Sequence, residues 1–247
     1  MTEGVYSNGL PHPSRRMRLR IATELGGVVV LTIAFLVFCE LWMPNWLNTG
    51  TYVGLALVAL GPILFKRHEI EEKIWGPPES PEFDRIRRCT LGMFALTVPP
   101  VVLFFIIGFA ARHWLPWLQP WLFQGQPPCD MISVHFFITL FFYVLWALLQ
   151  QTLFQFYLLG RLRALLPYAR PMLLSVVVGI AYGLVHLPEG GRITVVTIIG
   201  GIFWSYSYYR DRYVLPLAIS HMLLATTFFY WVLGQDFAGS LVRQFYK

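Results

Sequence analysis

Apolar runs of transmembrane length recur along this chain from residue 22 to residue 235. Crossing the hydrocarbon core of a bilayer takes about 20 apolar residues in helical form. Polar or Pro/Gly-rich breaks separate the runs. The pattern therefore predicts an all-α, polytopic transmembrane bundle of about seven helices, near 22–43, 50–65, 89–111, 132–160, 171–187, 193–209 and 213–234.

Composition supports a membrane domain over a soluble one. The 247 residues are 56% hydrophobic and 13% charged, and a soluble domain usually carries about 25% charged residues. A soluble core would not bury this much apolar surface. We therefore expect a single transmembrane domain over 22–235, preceded by a basic segment at 1–21 and followed by a tail at 236–247.

The basic residues predict the orientation of the helices. With a cytoplasmic N-terminus, all 19 Lys and Arg residues except Arg112, Arg192, Arg243 and Lys247 fall on the cytoplasmic side. This bias follows the positive-inside rule. The sequence thus predicts a multi-pass protein with its N-terminus in the cytoplasm and its C-terminus on the opposite side. The net charge of +6 then indicates contact with membrane lipids and not with nucleic acid.

Several polar side chains fall inside the predicted helices, where an unpaired polar group costs several kcal/mol. Gln151 and Gln155 are four residues apart and share a helix face, whereas Gln150 points about 100° away. These residues serve either as hydrogen-bond links between helices or as a functional site. The set comprises Gln150, Gln151 and Gln155 on the fourth helix, His186 and Glu189 at the end of the fifth, and His221 on the seventh.

Counting along each helix estimates the depth of these groups. At about 1.5 Å per residue, Gln150 lies about 16 Å and His221 about 14 Å from the cytoplasmic side, so the two can meet. His186 would lie about 24 Å from that side, too deep to join them unless its helix tilts or starts late.

Three stretches carry a resemblance to a known family. They are QQTLFQ (150–155), YGLVH (182–186) and RDRYVLPLAISHMLLA (210–225). In order and spacing they resemble the EExxxR, FxxxH and HxxxN blocks of the CAAX-protease and bacteriocin-processing (CPBP) family of intramembrane proteases, also called the abortive-infection family. The resemblance covers about 132–225 and implies a CPBP-type helical core.

The resemblance also assigns roles to positions in this chain. It implies that a glutamate of the first block activates water, while the histidines and the asparagine order the site or hold the oxyanion. The family-equivalent catalytic positions are Gln150, Gln151, His186 and His221, and the supporting ones are Gln155, Tyr182 and Ala225. Glutamine replaces both glutamates and the arginine, and alanine replaces the asparagine. An amide is no general base near neutral pH, so we expect hydrolysis to be lost or severely slowed.

The leading hypothesis is a noncatalytic pseudoprotease that binds a transmembrane or lipid-modified protein partner. One alternative is an active intramembrane endopeptidase of the CAAX-processing type. It could act by unrecognised chemistry, by glutamates that Gln150 and Gln151 replace through engineering, or by a carboxylate from Glu189, one turn beyond His186. Another alternative is a structural subunit of a membrane complex, with the tryptophan-rich segment 112–128 as its contact surface. The simpler interpretation of that segment is an interfacial aromatic belt.

No cofactor is expected from the sequence. His186 and His221 are weak metal-ligand candidates, because two imidazoles rarely suffice for zinc and amide oxygens are weak additions. The three cysteines are far apart, and no glycine-rich phosphate loop occurs. Gly179 with Gly183, and Gly200 with Gly201, are interpreted as places of close helix packing.

Overall fold

The computed structural model describes residues 14–42, 81–123, 130–187 and 190–236, with the backbone alone for 28, 29 and 31–42. Every regular element in these ranges is helical, as the sequence predicts for an all-α membrane protein. The elements are α1 (Arg15–Trp42), α2 (Glu82–His113), a 3₁₀ turn (Pro116–Leu118), α3 (Gln119–Phe123), α4 (Val134–Gln151), a first π segment (Thr152–Leu158), α5 (Leu159–Leu165), α6 (Pro171–Leu184), α7 (Gly191–Asp211), α8 (Val214–Thr227) and a second π segment (Phe228–Val232).

Several predicted boundaries are wrong. The first and third helices begin seven residues earlier than predicted, at Arg15 and Glu82. The helix predicted over 132–160 runs on to Leu165, and the one predicted over 171–187 ends at Leu184. The helix predicted near 50–65 lies outside the described residues. The basic segment 1–21 and the loop near 66–88 thus each contribute their last residues to a helix.

Local chemistry explains where the helices begin and end. The N–H of Met17 donates to Ser14 Oγ at 3.2 Å, so Ser14 caps α1. Pro171 occupies the first turn of α6, where its missing N–H costs nothing. Arg212 adopts a left-handed conformation with φ of 62° immediately after α7, which is a common way for a helix to stop.

The outer surface of the helices identifies an integral membrane protein. Three helical stretches among the described residues, Glu82–His113, Val134–Leu165 and Val214–Val232, are long and apolar enough to cross a membrane. Large apolar side chains such as Phe94 and Phe141 point outward, with 65% and 70% of their surface exposed. Exposed apolar surface on this scale suits contact with lipid.

The described residues group into two compact units, each discontinuous in sequence. The first unit comprises Met1–Arg85 and Gln151–Arg212, and the second comprises Ile86–Gln150 and Tyr213–Lys247. The expectation of a single transmembrane domain over 22–235, with its core over 132–225, stays a prediction.

In the first unit, α6 and α7 pack against each other at glycines. A Cβ atom at Gly183 would lie 2.9 Å from the Thr194 carbonyl oxygen, and one at Gly201 would lie 2.9 Å from the Gly179 Cα. Glycine therefore allows the two backbones to approach this closely, as in small-residue packing between membrane helices. At Gly200 the nearest atoms to an added Cβ belong to the ring of Trp204 on the same helix, at 3.1 Å, so the predicted helix packing at Gly200 stays a prediction.

In the second unit, the end of α8 is held by an arginine and an aromatic cluster. Arg112 Nη1 donates to the carbonyls of Gly108 (2.9 Å) and Trp231 (2.8 Å), and Nη2 donates to that of Tyr230 at 3.0 Å. The rings of Phe136, Tyr230 and Trp231 pack together as a buried cluster. A π segment interrupts the regular hydrogen bonds of an α-helix. Here the Arg112 guanidinium donates to two carbonyls of the second π segment.

Candidate functional site

The glutamines of the first family block lie where α4 passes into the first π segment. Gln150 and Gln151 are the last residues of α4, and Gln155 lies within the π segment. All three are buried, and Gln151 and Gln155 have no exposed surface. A π segment inserted in an α-helix is often found at functional sites. The predicted site residues therefore coincide with a local break in helix geometry that the residue pattern did not reveal.

Gln155 is hydrogen-bonded to α7. Ser205 Oγ donates to Gln155 Oε1 at 2.6 Å and lies 2.6 Å from the Gly201 carbonyl oxygen. A hydroxyl has one proton, so it cannot donate to both oxygens at once. The Nε2 atom of Gln155 has no hydrogen-bond partner among the described residues.

The opposite orientation of this amide satisfies more groups. An amide fits the same space either way, because its oxygen and nitrogen have nearly the same size. With Nε2 donating to Ser205 Oγ, the hydroxyl proton goes to the Gly201 carbonyl and both contacts are satisfied. A buried carbonyl oxygen without a partner is also less costly than a buried NH₂ group. Gln155, at the family's arginine position, thus serves as a link between helices.

Tyr182 lies at the centre of an aromatic group in the first unit. It is fully buried on α6. Its ring contacts those of Phe154, Trp204 and His186 at centroid distances of 4.9, 5.8 and 5.2 Å. These contacts join the first π segment, α6 and α7 at one place. Tyrosine at this family position therefore packs in the core beside the histidine.

His186 follows the end of α6 in a turn and is 7% exposed. The backbone N–H of His186 donates to the Gly183 carbonyl at 3.0 Å, and the backbone carbonyl of His186 accepts a bond from Thr194 Oγ1 at 3.4 Å. These bonds hold its backbone between α6 and α7. The estimated depth of His186 assumed one unbroken helix up to that residue. Because α6 ends two residues earlier, at Leu184, that estimate does not apply to His186.

The second unit holds the other family-equivalent residues. His221 is 3% exposed on α8, and its ring lies edge to face with that of Tyr143, 5.6 Å between centroids. The neighbouring Ser220 hydroxyl is hydrogen-bonded to Thr97 Oγ1 of α2 at 2.7 Å. Ala225, one turn beyond His221, is partly exposed. Gln150 also belongs to this unit.

The predicted site is therefore divided between the two units. Gln151, Gln155, Tyr182 and His186 belong to the first, whereas Gln150, His221 and Ala225 belong to the second. Glu189, the candidate replacement carboxylate, lies outside the described residues. No group of three His, Cys, Asp or Glu side chains in the described ranges could hold a metal ion.

The structure adds residues that the sequence did not single out. Ser205 and Thr97 are buried hydroxyls, each bonded to another helix. Asp211 is a carboxylate with no exposed surface, and Arg210 donates to its Oδ2 from Nε at 2.9 Å and from Nη2 at 2.8 Å. Ser205 lies one turn after Gly201 at the end of the apolar run IIGGIFW (198–204), a small-residue spacing that would have drawn attention to it.

The buried amides and imidazoles on apolar helices define an integral membrane protein with polar residues inside its helical units. Residues 132–227 match the family described as Rce1-like, type II CAAX prenyl endopeptidase Rce1-like. The match spans all the family-equivalent positions, and it confirms the resemblance of this stretch to the CPBP family of CAAX proteases. No curated protein and no solved structure matches the chain.

Proposed function

We propose that this CAAX protease-type membrane protein is a pseudoprotease, which binds a transmembrane or lipid-modified protein partner without cutting it. The observation that carries the proposal is the pair of buried amides at 150 and 151. At these positions the family resemblance implies carboxylates. Neither amide can take a proton from water, so the step that makes hydroxide available to a peptide carbonyl is absent.

The surroundings of Gln155 support the same proposal. Family resemblance implies a cation at this position, and here the side chain is an amide bonded to Ser205. A neutral link between helices stabilises the fold without needing charged partners. The changes at 150, 151 and 155 replace three ionisable side chains by neutral amides, and the change at 225 removes a polar amide. Such a site suits holding a ligand more than activating water.

The proposal includes a topology. The chain crosses the membrane about seven times, with the N-terminus in the cytoplasm and the C-terminus on the other side, as the distribution of Lys and Arg indicates. Single cysteines at positions 2 and 247, in a variant without Cys39, Cys89 and Cys129, test it. In intact cells an impermeant thiol reagent should label position 247 and not position 2, and the opposite labelling excludes this orientation.

Proteolysis is tested with purified full-length protein in lipid nanodiscs and a farnesylated CAAX peptide, with cleavage followed by mass spectrometry. We expect no cleavage. The double variant Gln150→Glu and Gln151→Glu should also be inactive, because Gln155 and Ala225 still replace the arginine and the asparagine. Cleavage that His221→Ala abolishes, and that the control His113→Ala at an exposed histidine leaves intact, would overturn the proposal.

Asp211 provides a second check on proteolysis, because it is a fully buried carboxylate in the first unit. It is ion-paired with Arg210, so we assign it a structural role. If wild-type protein cleaves the peptide and Asp211→Asn abolishes cleavage without lowering the melting temperature, a relocated carboxylate does the chemistry and the pseudoprotease proposal fails.

Binding is tested separately with a photo-crosslinkable farnesylated peptide. We expect the full-length protein to capture it, and unlabelled farnesylated peptide to compete. The same peptide without its lipid should not compete. Equal capture of lipidated and unlipidated peptide, or no capture of either, rejects the lipid-modified partner.

A further inference from the structure

Four arginines are concentrated at the start of α1. Arg15, Arg16, Arg18 and Arg20 are all exposed, and the first turn contains no acidic residue. The N-terminal end of a helix is the positive end of its dipole, so cations there are unfavourable and anions favourable. Such a conflict between local sequence and helix electrostatics is expected where function requires it.

Two of the four arginines line one groove. Arg16 and Arg20 are four residues apart, which places them on the same face of α1 one turn from each other. Together with Leu19, Thr23 and Glu24, all on α1, they line a shallow groove that is widely open to its surroundings. Arg15 and Arg18 do not line it. The groove is thus distinguished from the rest of the basic segment by geometry as well as by charge.

The acidic residue of the groove does not repel an anion. Glu24 Oε1 lies 3.0 Å from Arg161 Nη2 and accepts a 2.7 Å hydrogen bond from the Tyr157 hydroxyl. Its charge is therefore compensated from the side of α5 and the first π segment. Among the described residues no ion pair involves Arg16 or Arg20. The net electrostatic character of the groove is positive.

We propose that Arg16 and Arg20 bind the phosphate of an anionic phospholipid headgroup. Leu19 lies between them in sequence with 69% of its surface exposed, and a mainly apolar run extends from Leu25 to Cys39. A phospholipid has a charged headgroup joined to apolar chains. It therefore matches a site where positive charge lies beside exposed apolar surface at the start of an apolar helix. Clusters of arginine at such places attract anionic lipids.

The inference does not depend on whether the protein cuts a peptide. It is tested by native mass spectrometry of delipidated full-length protein in detergent, titrated with phosphatidylglycerol or phosphatidylcholine. We expect phosphatidylglycerol to bind more tightly. The double variant Arg16→Gln and Arg20→Gln should weaken its apparent affinity about thirtyfold, because each arginine near a membrane surface contributes about 1 kcal/mol and each ~1.4 kcal/mol is tenfold.

The matched control is the double variant Arg15→Gln and Arg18→Gln, which removes the same charge from the same helix end without altering the groove. It should weaken binding less than about threefold, because only long-range attraction is lost. Equal weakening by the two double variants overturns the proposal, since it shows a diffuse charge effect. Equal binding of the two lipids also overturns it.

Two further measurements test whether the bound phosphate belongs to a lipid headgroup or is free, and whether a charge-preserving variant still folds and binds. Soluble glycerol phosphate at millimolar concentration should not displace the lipid, and displacement shows a site for free phosphate instead of a headgroup. Arg16→Lys with Arg20→Lys keeps the charge and should retain phosphatidylglycerol binding within about threefold, since a lysine also pairs with phosphate. Loss of binding in this variant, with unchanged elution and melting temperature, contradicts a site based on charge.

Discussion

The two units of this chain stabilise buried polar groups in different ways. In the first unit, backbones approach closely at glycine, and the first π segment is linked to α7 through side chains, Gln155 to Ser205. In the second, a side chain serves the backbone itself, because Arg112 donates to carbonyls of the second π segment. The difference teaches that a π segment alone does not mark a catalytic position in this protein. The first contains a family-equivalent residue, whereas the second is held by a structural clamp.

Arg112→Met should have the largest effect on this comparison. Methionine keeps much of the length of the side chain but removes three hydrogen bonds from a charged donor, and we expect the free energy of unfolding to fall by about 3 kcal/mol. The measurement is thermal unfolding in detergent, with hydrogen exchange of the 228–233 amides as a local readout. Arg87→Met, on an exposed position of the same helix, is the control and should change little. Equal losses in both variants would show that the clamp contributes nothing specific.

Gly183→Ala tests the first unit. The added methyl would meet the side chain of Ile198 and come within 2.9 Å of the Thr194 carbonyl oxygen, so we expect a loss of about 2 kcal/mol from overpacking. Gly26→Ala in α1 is the control, because no atom of the described residues lies within 4 Å of the added atom. It should gain up to about 1 kcal/mol from helix propensity. Melting temperatures that move in the same direction in both variants argue against close contact of α6 and α7.

Tyr230→Phe sharpens the account of the second unit. The buried hydroxyl lies 3.0 Å from Thr139 Oγ1 and donates to Asp236 Oδ1 at 2.6 Å. Removing it takes one donor from the Asp236 carboxylate, whose Oδ2 keeps its 2.8 Å contact with His135 Nδ1, and we expect a loss of about 1.5 kcal/mol. Tyr206→Phe, at an exposed tyrosine, should be nearly neutral in the same unfolding measurement. A neutral Tyr230→Phe indicates that the hydroxyl contributes little to holding the second π segment.

Ser205→Ala should have the smallest effect, about 0.6 kcal/mol, which is typical of a hydrogen bond between membrane helices. The control is Ser175→Ala, since the Ser175 hydroxyl bonds only to the Pro171 carbonyl of its own helix. Hydrogen exchange should rise at 152–159 in Ser205→Ala and stay unchanged there in Ser175→Ala. Unchanged exchange in both variants would remove the link between Gln155 and α7 as the feature that distinguishes the first unit.

The polar residues inside the helices can be identified from sequence, because their order and spacing are recognisable among apolar residues. Gln150, Gln151, His186 and His221 are identified this way, and each is buried in the structure; that they form a site stays a prediction. The role of Gln155 could not be predicted, since it depends on Ser205, which is 50 residues away in sequence. The contact of Arg112 with the second π segment could not be predicted either, because Arg112 and Trp231 are 119 residues apart in sequence.

The sequence by itself determined the all-α membrane class, the approximate placement of the helices and the neutral chemistry at 150 and 151. These follow from composition and from residue type, which need no knowledge of neighbours. Only the tertiary structure decided where helices pass into π segments, how closely α6 and α7 approach at Gly183 and Gly201, and that Arg112 donates to the carbonyls of Tyr230 and Trp231. Each of these depends on which backbone groups find partners, and partners distant in sequence are fixed only by packing.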